Sequence, residues 1–210
     1  WLAAALFAFT FRPPAIPLIT ADPFMQTFIQ GDTSTSDTVR HWDGAAKQTL
    51  GLVRIDGNVY GFLGDVGSLL PVLTQRSLVV DATRTTFQLE LPGVLALNLT
   101  FLQTAFTDDI YRLARPVYYV TTSVAALDGK PHKVQVYVDA SAQHVVNYCE
   151  SQAVQWAKWT RLNTTGLVGA QIGSSAQQVL GSKCDTCNID WGFLHLAINA
   201  SAASTIWAGS

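Results

Sequence analysis

The pair Asp56-Gly57 sits between two apolar runs, Leu50-Gly51-Leu52-Val53-Arg54-Ile55 before it and Val59-Tyr60-Gly61-Phe62-Leu63 after it. Asp-Gly in that setting is the strongest short-range signal for a tight β-hairpin. The two-residue turn that matches strand twist needs positive φ at both central positions. A second pair, Asp128-Gly129, is followed by Lys130-Pro131 and lies between Val124-Ala125-Ala126-Leu127 and residues 133–140. A second hairpin is therefore expected there. Between the two pairs, candidate strands at 75–81, 85–91 and 94–103 are separated by Ala82-Thr83-Arg84 and Pro92-Gly93, the pattern of a meander.

The rest of the chain reads the same way. Residues 116–123 are dense in β-branched and aromatic side chains, and Val134-Gln135-Val136-Tyr137-Val138-Asp139 alternates as a half-buried strand does. Residues 154–160, 167–172 and 191–198 continue the β pattern more weakly. In the last of these, Phe193, His195 and Ala197 share one face. Pro13, Pro14 and Pro17 impose an extended backbone around them, and 31–37 is a polar loop. No dozen-residue window carries a helical stripe, although 107–113 suits a turn or two of helix. Short strands with turn signals roughly every 8–12 residues specify an all-β chain, an antiparallel sandwich with little helix.

Charge narrows the function classes. Only 13% of residues are charged, about half the usual ~25%. The net charge of −2 and the lack of any Lys/Arg run leave no footprint for nucleic acid or an anionic membrane surface. The apolar stretch from Leu2 to Phe9 is short of the ~20 residues a membrane span needs. It reads either as the tail of a signal peptide or as an apolar first strand. Because the chain opens on Trp1 and breaks off after Trp207-Ala208-Gly209-Ser210, it is expected to be a piece of a longer polypeptide.

Three Asn-x-Ser/Thr sequons occur, at Asn98, Asn163 and Asn199. In Leu95-Ala96-Leu97-Asn98-Leu99-Thr100-Phe101 a period of two puts Asn98 opposite the bulky residues, where a glycan could be carried. Glycosylation of at least one site is expected in a secreted chain.

Candidate chemistry is sparse. Cys184-Asp185-Thr186-Cys187 lacks the further ligands zinc needs and the βαβ setting of a redox motif. A local disulfide or two ordinary thiols are the favoured readings, and Cys149 is left over. Arg40-His41-Trp42-Asp43-Gly44 groups an arginine, an imidazole, an aromatic and a carboxylate. It could form a cleft-facing binding surface or an acid/base group. The favoured alternative is a loop packing Trp42 over the sandwich edge, with Arg40 and Asp43 paired. His195, in an apolar strand, is expected in the core. The six tryptophans suit sugar stacking or core burial, the latter being preferred. There is no nucleophile elbow, P-loop or dinucleotide fingerprint, and no cofactor or metal is called for.

Several phrases carry a resemblance. Pro14-Ala15-Ile16-Pro17-Leu18, Asp22-Pro23-Phe24, Arg40-His41-Trp42-Asp43-Gly44 and Gly51-Leu52-Val53-Arg54-Ile55-Asp56-Gly57 occur in that order. Arg115-Pro116-Val117-Tyr118-Tyr119-Val120, the run from Asp128-Gly129-Lys130-Pro131-His132 to Asp139-Ala140-Ser141, Val179-Leu180-Gly181, and Ile189-Asp190-Trp191-Gly192-Phe193-Leu194-His195-Leu196-Ala197 follow. Together they resemble the N-terminal region of the fungal secreted glutaminase family and its bacterial relatives. One departure is that Cys184-Asp185-Thr186-Cys187 stands where relatives commonly have Gly-Asp-Asp.

That resemblance implies a secreted amidohydrolase converting L-glutamine to L-glutamate and ammonia. In it a large, supersandwich-like N-terminal part supports a C-terminal helical-toroid catalytic domain of the same polypeptide. No catalytic residue can be carried over to this segment, which is expected to be non-catalytic itself. The implied organisation is a signal-peptide remnant or extended arm over 1–12, an N-terminal segment with the hairpin over 13–70, the main sandwich over 71–200, and the start of a linker over 201–210. The alternative is a carbohydrate-binding or glycoside-hydrolase accessory module, with Trp42 or Trp159 stacking on sugar. A sandwich that packs on a further domain should also expose a large apolar patch, and the mean hydropathy of +0.22 agrees with that expectation.

Overall fold

The computed structural model describes residues 13–22, 24–147, 152–159, 166–181, 188–201 and 203–209. About 49% of the described residues are in strands and 4% in helix, an all-β antiparallel sandwich. In chain order the strands are β1 (Ile16–Asp22), β2 (Met25–Ile29), β3 (Thr49–Ile55), β4 (Asn58–Leu63), β5 (Thr74–Val80), β6 (Arg84–Leu91) and β7 (Leu95–Gln103). After the one-turn helix α1 (Ile110–Leu113) come β8 (Tyr118–Ala126) and β9 (Val134–Ala140), a 3-10 turn over Ala142–Val145, then β10 (Val154–Trp159), β11 (Leu167–Ser174) and β12 (Leu194–Asn199). Among the described residues no helix is long and apolar enough to cross a membrane.

Among the described residues four antiparallel sheets result, ordered β1-β2, β4-β3-β9, β5-β6-β7-β8 and β10-β11-β12. The core lies where the inner faces of the first three meet. Phe87 and Leu89 of β6, with Leu95, Leu97, Leu99 and Phe101 of β7, pack with Ile16, Leu18 and Ile19 of β1. Ile29, Val39, Val53, Ile55, Phe62, Leu63 and Leu73 complete the cluster. β1 lies against β6 and β7. In β7 the alternation is clean: residues 95, 97, 99 and 101 are buried, while Asn98 points out. Each fully buried Leu or Phe contributes about 1.5–3 kcal/mol.

The Asp56-Gly57 hairpin forms as expected. Asp56 has φ 49° and Gly57 φ 95°, the positive pair a type I′ turn requires, and Ile55 stands opposite Asn58. The second expected hairpin does not form. β8 pairs with β7, whereas β9 pairs with β3, so residues 127–133 carry the chain from one sheet to another. The reason is local. Gly129 has φ 71°, but Asp128 is not in the positive-φ region, and Asp128 Oδ1 accepts from the Lys130 N–H at 2.9 Å. Pro131 has no N–H to offer a ladder.

That crossover leaves β8 and β9 as edge strands. In β8, Val120, Thr122, Val124 and Ala126 stand opposite Phe101, Leu99, Leu97 and Leu95, so they share the core-side face. Yet Val120 and Val124 are 36% and 44% exposed. In β9, Val136 stands opposite buried Val53 and is 41% exposed. Tyr118 of β8 and Val134 and Val138 of β9 pack against the core, whereas Val120, Val124 and Val136 on the same faces emerge uncovered.

Two core expectations need correcting. His195 is exposed, because strand alternation turns Leu194 inward and His195 outward. There its ring makes an edge contact with Phe193, centroids 6.4 Å apart. Trp42, Trp156 and Trp207 are exposed rather than in the core. Phe62, Phe87 and Phe101 fill the dry interior, where an indole N–H would need a partner. Trp1 and the side chain of Trp159 lie outside the described residues, as do the stretch from Leu2 to Phe9, Cys149, Cys184, Cys187 and Asn163.

Candidate functional site

The segment joining β2 to β3 is a tight loop stitched to its neighbours. Phe28 N–H donates to Arg40 O at 2.7 Å and Arg40 N–H to Phe28 O at 2.9 Å. Lys47 N–H donates to Val39 O at 2.8 Å. Within the loop, His41 N–H donates to Ala45 O at 2.8 Å and Gly44 N–H to His41 O at 3.0 Å. Gly44 adopts φ 89°, which a residue with a Cβ disfavours. So tight a turn fixes the directions of the side chains it carries.

His41 and Asp43 point inward and Trp42 outward. His41 is 3% and Trp42 53% exposed, and their rings lie 5.5 Å apart, tilted by 48°. Arg40 pairs with Asp37 at 3.4 Å, and its Nη1 donates to Gly44 O at 3.2 Å. Asp43 pairs instead with His41, whose Nδ1 is 3.2 Å from Asp43 Oδ1. The expected Arg40–Asp43 pair is therefore replaced by two separate pairs.

Asp43 is the entrance to a buried polar seam. Its Oδ1 accepts from Ala45 N–H at 2.8 Å, and its Oδ2 accepts from Asn188 Nδ2 at 2.8 Å. Asn188 N–H donates to Asn147 Oδ1 at 2.9 Å. Asn147 N–H donates to Gln152 Oε1 at 2.5 Å, and Gln152 Nε2 donates to Asp190 Oδ2 at 2.7 Å. Ser174 of β11 donates its hydroxyl to Asp190 O. Asn147, Asn188, Asp190 and Ser174 are all buried. The seam ties the loop to the β10-β11-β12 sheet by hydrogen bonds.

Burial by itself would raise the carboxyl pKa of Asp43. The Ala45 amide, the Asn188 side chain and His41 outweigh it and hold the group below the ordinary carboxylate value. Asp43 is thus a fixed anion beside a buried imidazole. A carboxylate so placed can orient the ring. His41 Nε2 has no hydrogen-bond partner among the described residues, so no hydroxyl or thiol described here is set up as a nucleophile on it.

A second buried group lies close by in sequence. Lys47 is buried and its Nζ donates to Gln143 O at 2.5 Å, a carbonyl of the 3-10 turn. The His144 Nε2 meets Thr49 Oγ1 at 3.0 Å. Desolvation of the ring, followed by the positive charge of Lys47, pushes His144 down to about 4. It is a neutral imidazole at ordinary pH. Among the described residues no group of three or more His, Cys, Asp or Glu is arranged to hold a metal ion.

Of the residues singled out in the sequence, the loop brings together Arg40, His41, Trp42 and Asp43. Asn98 and Asn199 are both exposed, on β7 and at the end of β12. Sequence reasoning missed Asn147, Gln152, Ser174 and Asn188. They lie more than a hundred residues from Asp43, and no local pattern marks them.

Comparison with known proteins fits this picture. Residues 4–72 match a family described as a domain of unknown function, DUF4964. The chain is similar to glutaminase A of Aspergillus oryzae (strain ATCC 42149 / RIB 40), with 27% identity over 139 residues. That alignment covers 63% of this chain and 20% of the relative, so the chain spans about a fifth of that protein's length. No solved structure matches the chain. Residues 83–210, more than half of the chain, match the family described as a domain of unknown function, DUF5127, and it is to this family that the chain belongs.

Proposed function

We propose that this chain is the non-catalytic β-sandwich part of a secreted glutaminase-like amidohydrolase. The hydrolysis of L-glutamine to L-glutamate and ammonia is then carried by a larger helical part of the same polypeptide. The observation that carries the reading is the similarity to glutaminase A over 63% of the chain. Two structural features support it. The only Asp–His pair in the loop is built into a seam of hydrogen bonds, with no described nucleophile on its imidazole. Val120, Val124 and Val136 on the inner faces of β8 and β9 also emerge uncovered, and a neighbouring domain would bury them. Asn98 and Asn199 are exposed and accessible to N-glycosylation in a secreted protein.

The test is ammonia release from L-glutamine by the 210-residue chain and by the longer polypeptide that contains it. Activity is expected in the longer protein alone. Turnover by the short chain would sink the non-catalytic reading, and an inactive longer protein would sink the glutaminase reading. A second reading rests on Trp42, whose exposed ring on a rigid loop offers a platform for a sugar face. Glycan binding that disappears in Trp42→Ala would favour that binding module.

A further inference from the structure

At the crossover from β8 to β9, one histidine links two turns that are distant in sequence. His132 Nδ1 lies 2.6 Å from Asp56 Oδ2, in the β3–β4 turn. Its Nε2 lies 3.0 Å from Asp128 Oδ1, in the crossover itself. Backbone bonds reinforce the first link: Lys133 N–H donates to Asp56 Oδ1 at 2.8 Å, and Asp56 N–H donates to Lys133 O at 3.0 Å. The side chain of His132 is 10% exposed, so the ring is enclosed between its two carboxylates.

A neutral imidazole has one N–H and one lone pair, whereas an ionised carboxylate only accepts. A ring facing a carboxylate on each nitrogen can satisfy both only as the imidazolium. We propose that His132 is a protonation-operated clamp on the sheet-to-sheet crossover. The imidazolium ties residues 127–131 to the β3–β4 turn, and the neutral ring lets one of the two carboxylates go. The link that opens is the one to Asp128, because the Asp56 side keeps its two backbone bonds. The crossover joins β8 to β9, the edge strands of their two sheets, so the clamp sets how those edges are held. This inference does not depend on the glutaminase reading.

The charged groups around the ring are Asp56 from the β3–β4 turn and Asp128 from the crossover. Lys130 Nζ stands 3.9 Å from Asp128 Oδ2, and Arg54 and Lys133 line a shallow groove of about 400 Å3 beside the turn. Hydrogen bonds to Asp56 and then Asp128 raise the His132 pKa above its ordinary value of 6.5. The hydrogen bond to His132 in turn lowers both carboxylates below their ordinary 3.8. The clamp's contribution to stability is therefore complete between these two ordinary values. It fades as pH rises through the histidine's folded pKa, and again as pH falls through those of the carboxylates.

The experiment is a titration of the ring nitrogens of His132 by nitrogen-15 NMR in the 210-residue chain, over about pH 5–9. The backbone amides of residues 127–130 are followed in the same samples. A midpoint above 6.5 is expected, with those amides shifting at the same midpoint. Asp128→Asn should lower the midpoint and uncouple the amides from the ring, while the His132–Asp56 contact remains. His132→Gln should remove the fall in melting temperature that the parent shows on passing through the midpoint. A midpoint at or below 6.5, or amide shifts that still follow the ring in Asp128→Asn, would overturn the clamp. Because Asp128→Asn keeps the stronger link, the test stands even where His132→Gln fails to fold.

Discussion

Asp43 and His144 show how single buried groups are held in one charge state. Asp43 stays ionised because it accepts from Ala45 and Asn188 and faces His41. Asn188→Ala removes the longest-range of these partners and leaves the carboxylate oxygen without a donor. The cost of such a loss is about 1.5–3 kcal/mol, read as a lower urea midpoint at unchanged slope. His144 works with the opposite sign to His132. Its folded pKa of about 4 lies below its ordinary 6.5, so the unfolded chain takes up a proton first. Stability that is complete above 6.5 is lost as pH falls toward 4. The loss should reach on the order of 2–3 kcal/mol and be absent in His144→Gln, by denaturant titration at a series of pH values. Neither role was legible in the sequence, where four histidines are scattered singly. Asn188 for Asp43 and Lys47 for His144 come from other elements, and only the fold brings them within reach.

Whether an element is buried is decided by what covers it as much as by its own sequence. β7 and β8 pair along their full lengths and share an apolar face, but only β7 lies under β1. Phe101→Ala should therefore cost about 3–5 kcal/mol. Val124→Thr, on the same face one strand over, should stay within about 0.5 kcal/mol of the parent. Equal losses in the two variants, measured by chemical denaturation, would contradict the open edge. Strands were the most readable elements. The meander from β5 to β7 and the Asp56-Gly57 turn form close to where alternation and turn chemistry place them. The Asp128-Gly129 turn misled because the dipeptide permits a type I′ turn without compelling one. Here Asp128 keeps negative φ, Pro131 blocks a ladder, and β9 finds its partner in β3, about 85 residues away in register. The Arg40–Asp43 loop was legible as a cluster but not as a geometry. Which of its side chains turn inward depends on Asn188, which sequence proximity could not supply.

For the molecule as a whole, its relatives and its packing both bear on β8 and β9. The chain belongs to a family with no assigned function, and it is similar to a fifth of a glutaminase. It also leaves core-type valines exposed on two edge strands. A sandwich that ended its own packing would place polar residues there, as β7 does with Asn98 on its outer face. We propose that this open edge is completed by the rest of a larger enzyme. Amide hydrogen exchange of the 210-residue chain and of the longer polypeptide measures that directly. Slower exchange in the longer protein, concentrated in residues 118–126 and 134–140, is the expected result. Unchanged exchange in both strands, with new protection elsewhere on the sandwich or nowhere, would contradict the account.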